Sequence, residues 1–117
     1  DNGEELCISL ISEFFKGIQQ TFPKAWDKKH RPHTSRLIHG AGIVSMGYVM
    51  EYLFFKKDAR TYQEFASGLA PLLGQTAWTE KDGNWNFGEE IRTWNSLQNV
   101  NRDILMLASY LLKCIKK

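Results

Sequence analysis

Apolar positions recur along this chain with helical spacing in four places, and one of those places lacks a polar side. Residues 35–55, SRLIHGAGIVSMGYVMEYLFF, are apolar or small nearly all the way round, with only His39 and Glu51 readily ionisable between Leu37 and Tyr52. A helix apolar on every face belongs in the middle of a core. It is too short and too interrupted to span a bilayer, which needs roughly 20 strongly apolar residues. Gly40 and Gly47 stand seven apart, on nearly one face, where the backbone of a neighbouring helix is expected to approach. Each interior glycine costs about 1 kcal/mol against alanine, so a packing or functional reason is required.

Three more helices are predicted around this one. Cys7, Ile11, Phe14, Ile18 and Phe22 form the stripe of a first helix over 4–22, with Asn2 as its cap. Thr61-Tyr-Gln-Glu64 has the form of a capping box ahead of Phe65, Leu69, Leu72 and Leu73, and Pro71 kinks or ends that helix. Ile104, Ala108, Leu111 and Ile115 form the stripe of a last helix to Lys117, capped by Asn99 or Asn101. Thr34 or Ser35 is the expected cap of the central helix. Residues 75–88 are irregular: Asp82-Gly83 between Trp78 and Trp85 suits either a minimal β-hairpin across 77–87 or an ordered loop pinned by tryptophans. A short helix is expected over Glu89–Asn95. The fold class is therefore mainly α, a compact irregular bundle of four to five helices around a buried central helix at 35–55. Mixed loop lengths argue against a regular four-helix bundle.

A length of 117 residues suits a single helical domain, 1–117. The chain opens at Asp1 and enters a helix at once, which leads us to expect a fragment of a longer protein. Composition is ordinary for a soluble domain and the formal net charge is only +2, which implies neither nucleic acid nor membrane as a partner. The distribution is uneven, because Lys24, Lys28, Lys29, Arg31 and Arg36 face only Asp27 within residues 24–36. Cys7 and Cys114 lie in apolar helical contexts and read as small buried hydrophobes in a reducing cytoplasm.

Candidate chemistry is sparse. His30 and His33 form an HxxH pair with His39 nearby, but no acidic or cysteine ligand adjoins them, and no metal or cofactor is expected. His39 follows Arg36 by three residues at the head of the central helix, where free amides and the helix dipole favour an anion. The bland alternative is a half-buried histidine tying down a loop. No nucleophile, base pair, P-loop, GxSxG or CxxC accompanies it, so no catalytic residue is assigned. The anion- or nucleic-acid-binding candidates are Lys28, Lys29, Arg31, Arg36 and His39, with DNA as the partner of the 24–36 loop. A basic run is also commonly just a solvated face.

Ser35-Arg36-Leu37-Ile38-His39-Gly40-Ala41-Gly42-Ile43-Val44-Ser45-Met46-Gly47-Tyr48, with WNF at 85–87 and WNSLQN at 94–99, resembles the C-terminal helical part of bacterial DGQHR-domain proteins. That group includes the B-type protein of DNA sulfur-modification (phosphorothioation) systems. The similarity covers roughly residues 22–112, and the central helix is its most specific part. The resemblance implies an intracellular bacterial protein tied to DNA modification, mobile elements or phage defence. It also implies an N-terminal domain, likened to the ParB fold, as a partner within the same chain. No DGQHR sequence occurs in these residues, and the resemblance carries over no catalytic residue. The expected function is a non-enzymatic helical module that binds protein or DNA. The rivals are an enzyme or anion site using Arg36 and His39 on a phosphate-bearing substrate, and a structural lid for the N-terminal domain.

Overall fold

The computed structural model describes residues 2–117, and the architecture is mainly helical. Helix α1 spans Asn2–Thr21, α2 Gly40–Lys57, α3 Tyr62–Leu69 and α4 Asn101–Lys116. A two-stranded antiparallel sheet, β1 (Asn84–Asn86) and β2 (Ile91–Thr93), lies between α3 and α4 in sequence. Helix α1 packs chiefly on α3, and α2 packs chiefly on α4. Phe14, Ile18, Leu53, Phe65, Leu69, Leu107 and Leu111 fill the space between the two pairs, together with Trp78 and Trp85. No helix among the described residues is long and apolar enough to cross a membrane.

The capping box forms as read: Thr61 Oγ1 accepts from Glu64 N, and Glu64 Oε1 accepts from Thr61 N. Pro71 sits in the 3-10 turn Ala70–Leu72 that closes α3. The stripe Ile104, Ala108, Leu111 and Ile115 is buried, as its spacing requires.

Several expectations are corrected. The central helix starts at Gly40 rather than Ser35, because residues 35–39 turn and are tied down by other contacts. Ser35 is buried and donates its hydroxyl to Ala25 O, Thr34 closes the preceding turn, and the cap is His39. Nor is α2 buried on every face: Ile43, Val44, Tyr48 and Phe55 are exposed along one side. Gly47 lies in that side, and a Cβ added there would meet nothing within 4 Å, so no helix backbone approaches it. The close approaches are at Gly40, beside the Asn99 side chain, and at Gly42, where a Cβ would collide with the carbonyl oxygen of Arg36.

Residues 75–88 combine both alternatives. Trp78 and Trp85 pin the loop edge-to-face at 5.0 Å, and the hairpin lies later than expected, with Trp85 paired to Arg92. The Asp82-Gly83 pair ends a 3-10 turn, Glu80–Asp82, in which Thr79 and Asp82 cap one another. The hairpin turns instead at 87–90, where Phe87 N donates to Glu90 O and Gly88 takes φ +92. The helix expected over Glu89–Asn95 is therefore strand β2 and a following turn. Helix α4 is capped at Val100 without a side-chain bond, not by an asparagine. Asp103, in the first turn, instead ties the helix to the preceding segment by accepting from Gln98 N at 2.8 Å.

Helix α1 departs most from its reading. Phe14, Gly17 and Ile18 are buried, but every residue from 2 to 9 is exposed, because α3 has only two turns to cover its neighbour. Cys7 is accordingly exposed and Cys114 half-buried, both as free thiols, which overturns the buried reading of the pair. Asn2 falls inside the helix, and the residue before it lies outside the described residues.

Candidate functional site

The basic loop is a series of tight turns between α1 and α2. Pro23 ends the α1 pattern, and Trp26 N and His30 N close successive turns onto Phe22 O and Asp27 O. Asp27 Oδ1 accepts from Lys29 N, and His30 Nδ1 bonds the Thr34 hydroxyl at 3.0 Å. These local bonds fix the backbone and turn Lys24, Lys28, Lys29 and Arg31 outward, where all four are exposed. Among the described residues none of the four forms an ion pair. Arg31 spends one guanidinium nitrogen on the carbonyls of Lys28 and His30, which orders it without neutralising it.

Arg36 is placed differently. It is only 7% exposed, and its side chain reaches across to the segment that follows the hairpin. Nε donates to Leu97 O at 3.0 Å, Nη1 to Pro32 O at 3.0 Å, and Nη2 to Asn95 O. The guanidinium also lies 5.9 Å from the centre of the Trp94 ring. Burial pulls its pKa below the ordinary arginine value, but an arginine stays protonated in a protein. Its charge is therefore balanced by carbonyl dipoles and the face of the Trp94 ring, with no carboxylate among its partners in the described residues. Such a group ties the 94–97 segment to the entry of α2, and each of its three nitrogens donates to a backbone carbonyl.

His39 is half-buried at the head of α2. Its Nδ1 accepts from Ala41 N at 3.1 Å, so the ring serves as the N-cap in its neutral form. Burial lowers its pKa, and the Arg36 charge lowers it further. A cation at this position would lose the cap and face the positive end of the helix, so three effects agree. Arg36 and His39 are thus neighbours at the helix head, and both are engaged in holding it.

What the loop leaves open is a shallow groove lined by Gln19, Pro23, Trp26, Lys28, Lys29, His30 and Ile38, with Asp27 as its one acidic residue. Trp26 is half-buried, with Phe15 against it at 5.5 Å between ring centres. An aromatic floor with ammonium groups at its rim is suited to a flexible anionic chain, since phosphates meet the lysines and a planar group meets the ring. Sequence reasoning missed Trp26, Gln19 and Ile38 here, because they come from the turn after α1, from α1 itself and from the entry of α2, which the fold brings together. The one available signal was Trp26 beside a basic run. Among the described residues, no three His, Cys, Asp or Glu side chains cluster as metal ligands.

No family model, curated protein or solved structure matches this chain.

Proposed function

We propose that this chain is a non-enzymatic helical binding module of the DGQHR type, serving DNA modification or phage defence, and that its 24–36 loop contacts the phosphate backbone of DNA. The observation that carries the reading is the division of labour in the loop. Arg36 is consumed by three carbonyls and His39 by an amide, whereas Lys24, Lys28, Lys29 and Arg31 stand exposed and without ion pairs among the described residues. Cations held outward on an ordered backbone bind phosphate with little entropic penalty, and phosphate contacts carry no base information. Binding should therefore be weak, sequence-tolerant and strongly salt-dependent. Fluorescence anisotropy with labelled duplexes at low salt tests this. Exchanging Lys28, Lys29 and Arg31 together for glutamine should weaken binding to every sequence alike, while the same exchange at Lys56 and Lys57 leaves it nearly unchanged. Equal losses from both sets would refute the assignment to this loop.

A second reading, docking against an N-terminal domain of the same longer protein, is favoured by a separate observation. Ile43, Val44, Tyr48 and Phe55 are exposed along one side of α2, interrupted by Glu51 between Tyr48 and Phe55, and exposed apolar residues grouped in this way commonly mark a protein contact.

A further inference from the structure

The first two turns of α1 project about 12 Å from the body with no covering element. On them Ile8 is 68% exposed, and Ile11 and Phe15 continue its exposed apolar surface toward the core, while Leu6, 60% exposed, faces the other side of the helix. Ile8, Ile11 and Phe15 recur at i, i+3 and i+7, so they form one ridge along the helix. A short helical projection is marginal in water on its own, and exposing branched apolar side chains does not help it.

The charges beside this ridge identify what covers it. Glu5 and Lys16 are eleven residues apart, which puts them about 20° apart around the helix axis, on the same flank of the ridge. Both are exposed, and Lys16 Nζ is held only by Glu13 at 3.5 Å, with its side chain 59% exposed. When two identical helices pack antiparallel about a two-fold axis, each flank meets the same flank of the partner, running in the opposite direction. Centring such a pair between Ile11 and Ser12 lays Ile8 of each copy against Phe15 of the other. Glu5 of each copy then comes within about 3 Å, along the axis, of Lys16 of the other, well within the reach of both side chains. The apolar ridge and the flanking charges thus complement a second copy of themselves in one register. In a parallel pairing each flank would face the opposite flank of the partner, so Glu5 and Lys16 would not meet across the seam.

We infer that the projecting half of α1 is a self-association surface, forming a two-fold antiparallel helix pair through Ile8, Ile11 and Phe15 with reciprocal Glu5–Lys16 contacts. The contact is small, so the dimer is reversible and concentration-dependent. It leaves the two globular bodies at opposite ends of the pair, because each body begins where the other copy's projection ends. The inference is independent of the DNA-binding reading, since it uses none of the loop's cations.

Sedimentation equilibrium of the 117-residue chain at low ionic strength, from low micromolar to near-millimolar concentration, tests it. Wild type should pass from monomer to dimer, and Ile8→Asp should weaken the dimer by at least about tenfold, because a carboxylate would be buried twice, each time against Phe15 of the other copy. Glu5→Lys and Lys16→Glu should each weaken self-association several-fold. An equimolar mixture of these two variants should recover it, since in the mixed dimer both flanks again carry opposite charges. That recovery also shows that each variant is folded. A wild-type chain that stays monomeric near millimolar concentration, a dimer indifferent to Ile8→Asp, or a mixture no better than its components would overturn the proposal.

Discussion

Helices α2 and α4 pack against each other and bury similar apolar surfaces, yet their sequences reveal their orientations very differently. In α4 the stripe of Ile104, Ala108, Leu111 and Ile115 is set against Lys113, Arg102 and Ser109, and that contrast states which side is inward. In α2 nearly every residue is apolar, and a single acidic side chain, Glu51, is all that marks the exposed side against the buried one, Ala41, Ser45, Met46, Val49 and Leu53. Polar contrast rather than total hydrophobicity carries orientation. An apolar helix in a chain this small cannot find neighbours for all its faces, and the surplus is left in solvent.

The helix heads differ in the same instructive way. Both are anchored by an arginine, Arg92 reaching α4 from the hairpin and Arg36 reaching out from the entry of α2 to the 94–97 segment. Arg92 pairs with Asp103, which is nearly inaccessible, through contacts of 3.3 and 3.4 Å at the head of α4. Arg36 meets only carbonyls at the head of α2. One head is built on an ion pair and the other on a guanidinium that fills a ring of backbone acceptors.

The largest expected effect separates the two sides of α2. Gly42→Ala would drive a methyl group into Arg36 O, and neither backbone can yield without dismantling the helix entry. A loss of about 4 kcal/mol or more is expected in denaturant unfolding. Gly47→Ala, with open space around its Cβ, should instead stabilise by about 0.5–1 kcal/mol through helix propensity. If the two variants unfold at the same denaturant concentration, the assignment of inner and outer sides is wrong.

Next come the arginine anchors. Arg36→Gln leaves at least two of the carbonyls of Pro32, Asn95 and Leu97 without their donor, for an expected cost of about 2–4 kcal/mol. Asp103→Asn keeps the size of the side chain but uncouples Arg92, which is partly exposed and can rehydrate, so about 1–3 kcal/mol is expected. Chemical denaturation with matched slopes would check both, and a larger loss at Asp103 would reverse the ranking.

Acid sharpens the comparison further. Burial lowers the His39 pKa and Arg36 lowers it again, so between the ordinary value of 6.5 and the folded value the unfolded chain binds the extra proton. The α2 head therefore loses stability as pH falls below about 6.5. For Asp103, burial acts to raise the pKa, but the Gln98 amide and Arg92 outweigh it and the net shift is downward. Its contribution is present above the ordinary value of 3.8 and is lost only as pH falls through the depressed folded value. Stability measured against pH should thus fall in two stages. His39→Gln should remove the first stage and leave the second, and a single-stage profile in wild type would contradict this.

Much of the fold was legible because local chemistry matched it. The Thr61–Glu64 box, the α4 stripe and the loop role of Trp78 and Trp85 each rest on residues close in sequence. What was illegible depended on distant partners. Arg36 reads as a surface cation until Asn95 and Leu97 are brought to it from about sixty positions away. His39 reads as an interruption in an apolar run until the helix is seen to begin after it. Cys7 and Ile11 fit a buried stripe, but how much of α1 is covered is set by where α3 begins, at the Thr61 cap beside Glu13, and not by α1 itself. For the candidate loop, the exposed lysines were evident in the sequence, and the Trp26 floor of the groove was not.

The separation between structural and ligand-facing cations in the 24–36 loop is most directly tested by the salt dependence of duplex DNA binding. For wild type and Lys28→Gln/Lys29→Gln, the logarithm of the association constant is measured against the logarithm of salt concentration. Losing two phosphate contacts should reduce the magnitude of the slope by about 2 units, with equal effects on unrelated sequences. Identical slopes for the two proteins, or no binding by wild type even at the lowest salt, would contradict the proposed role of the loop.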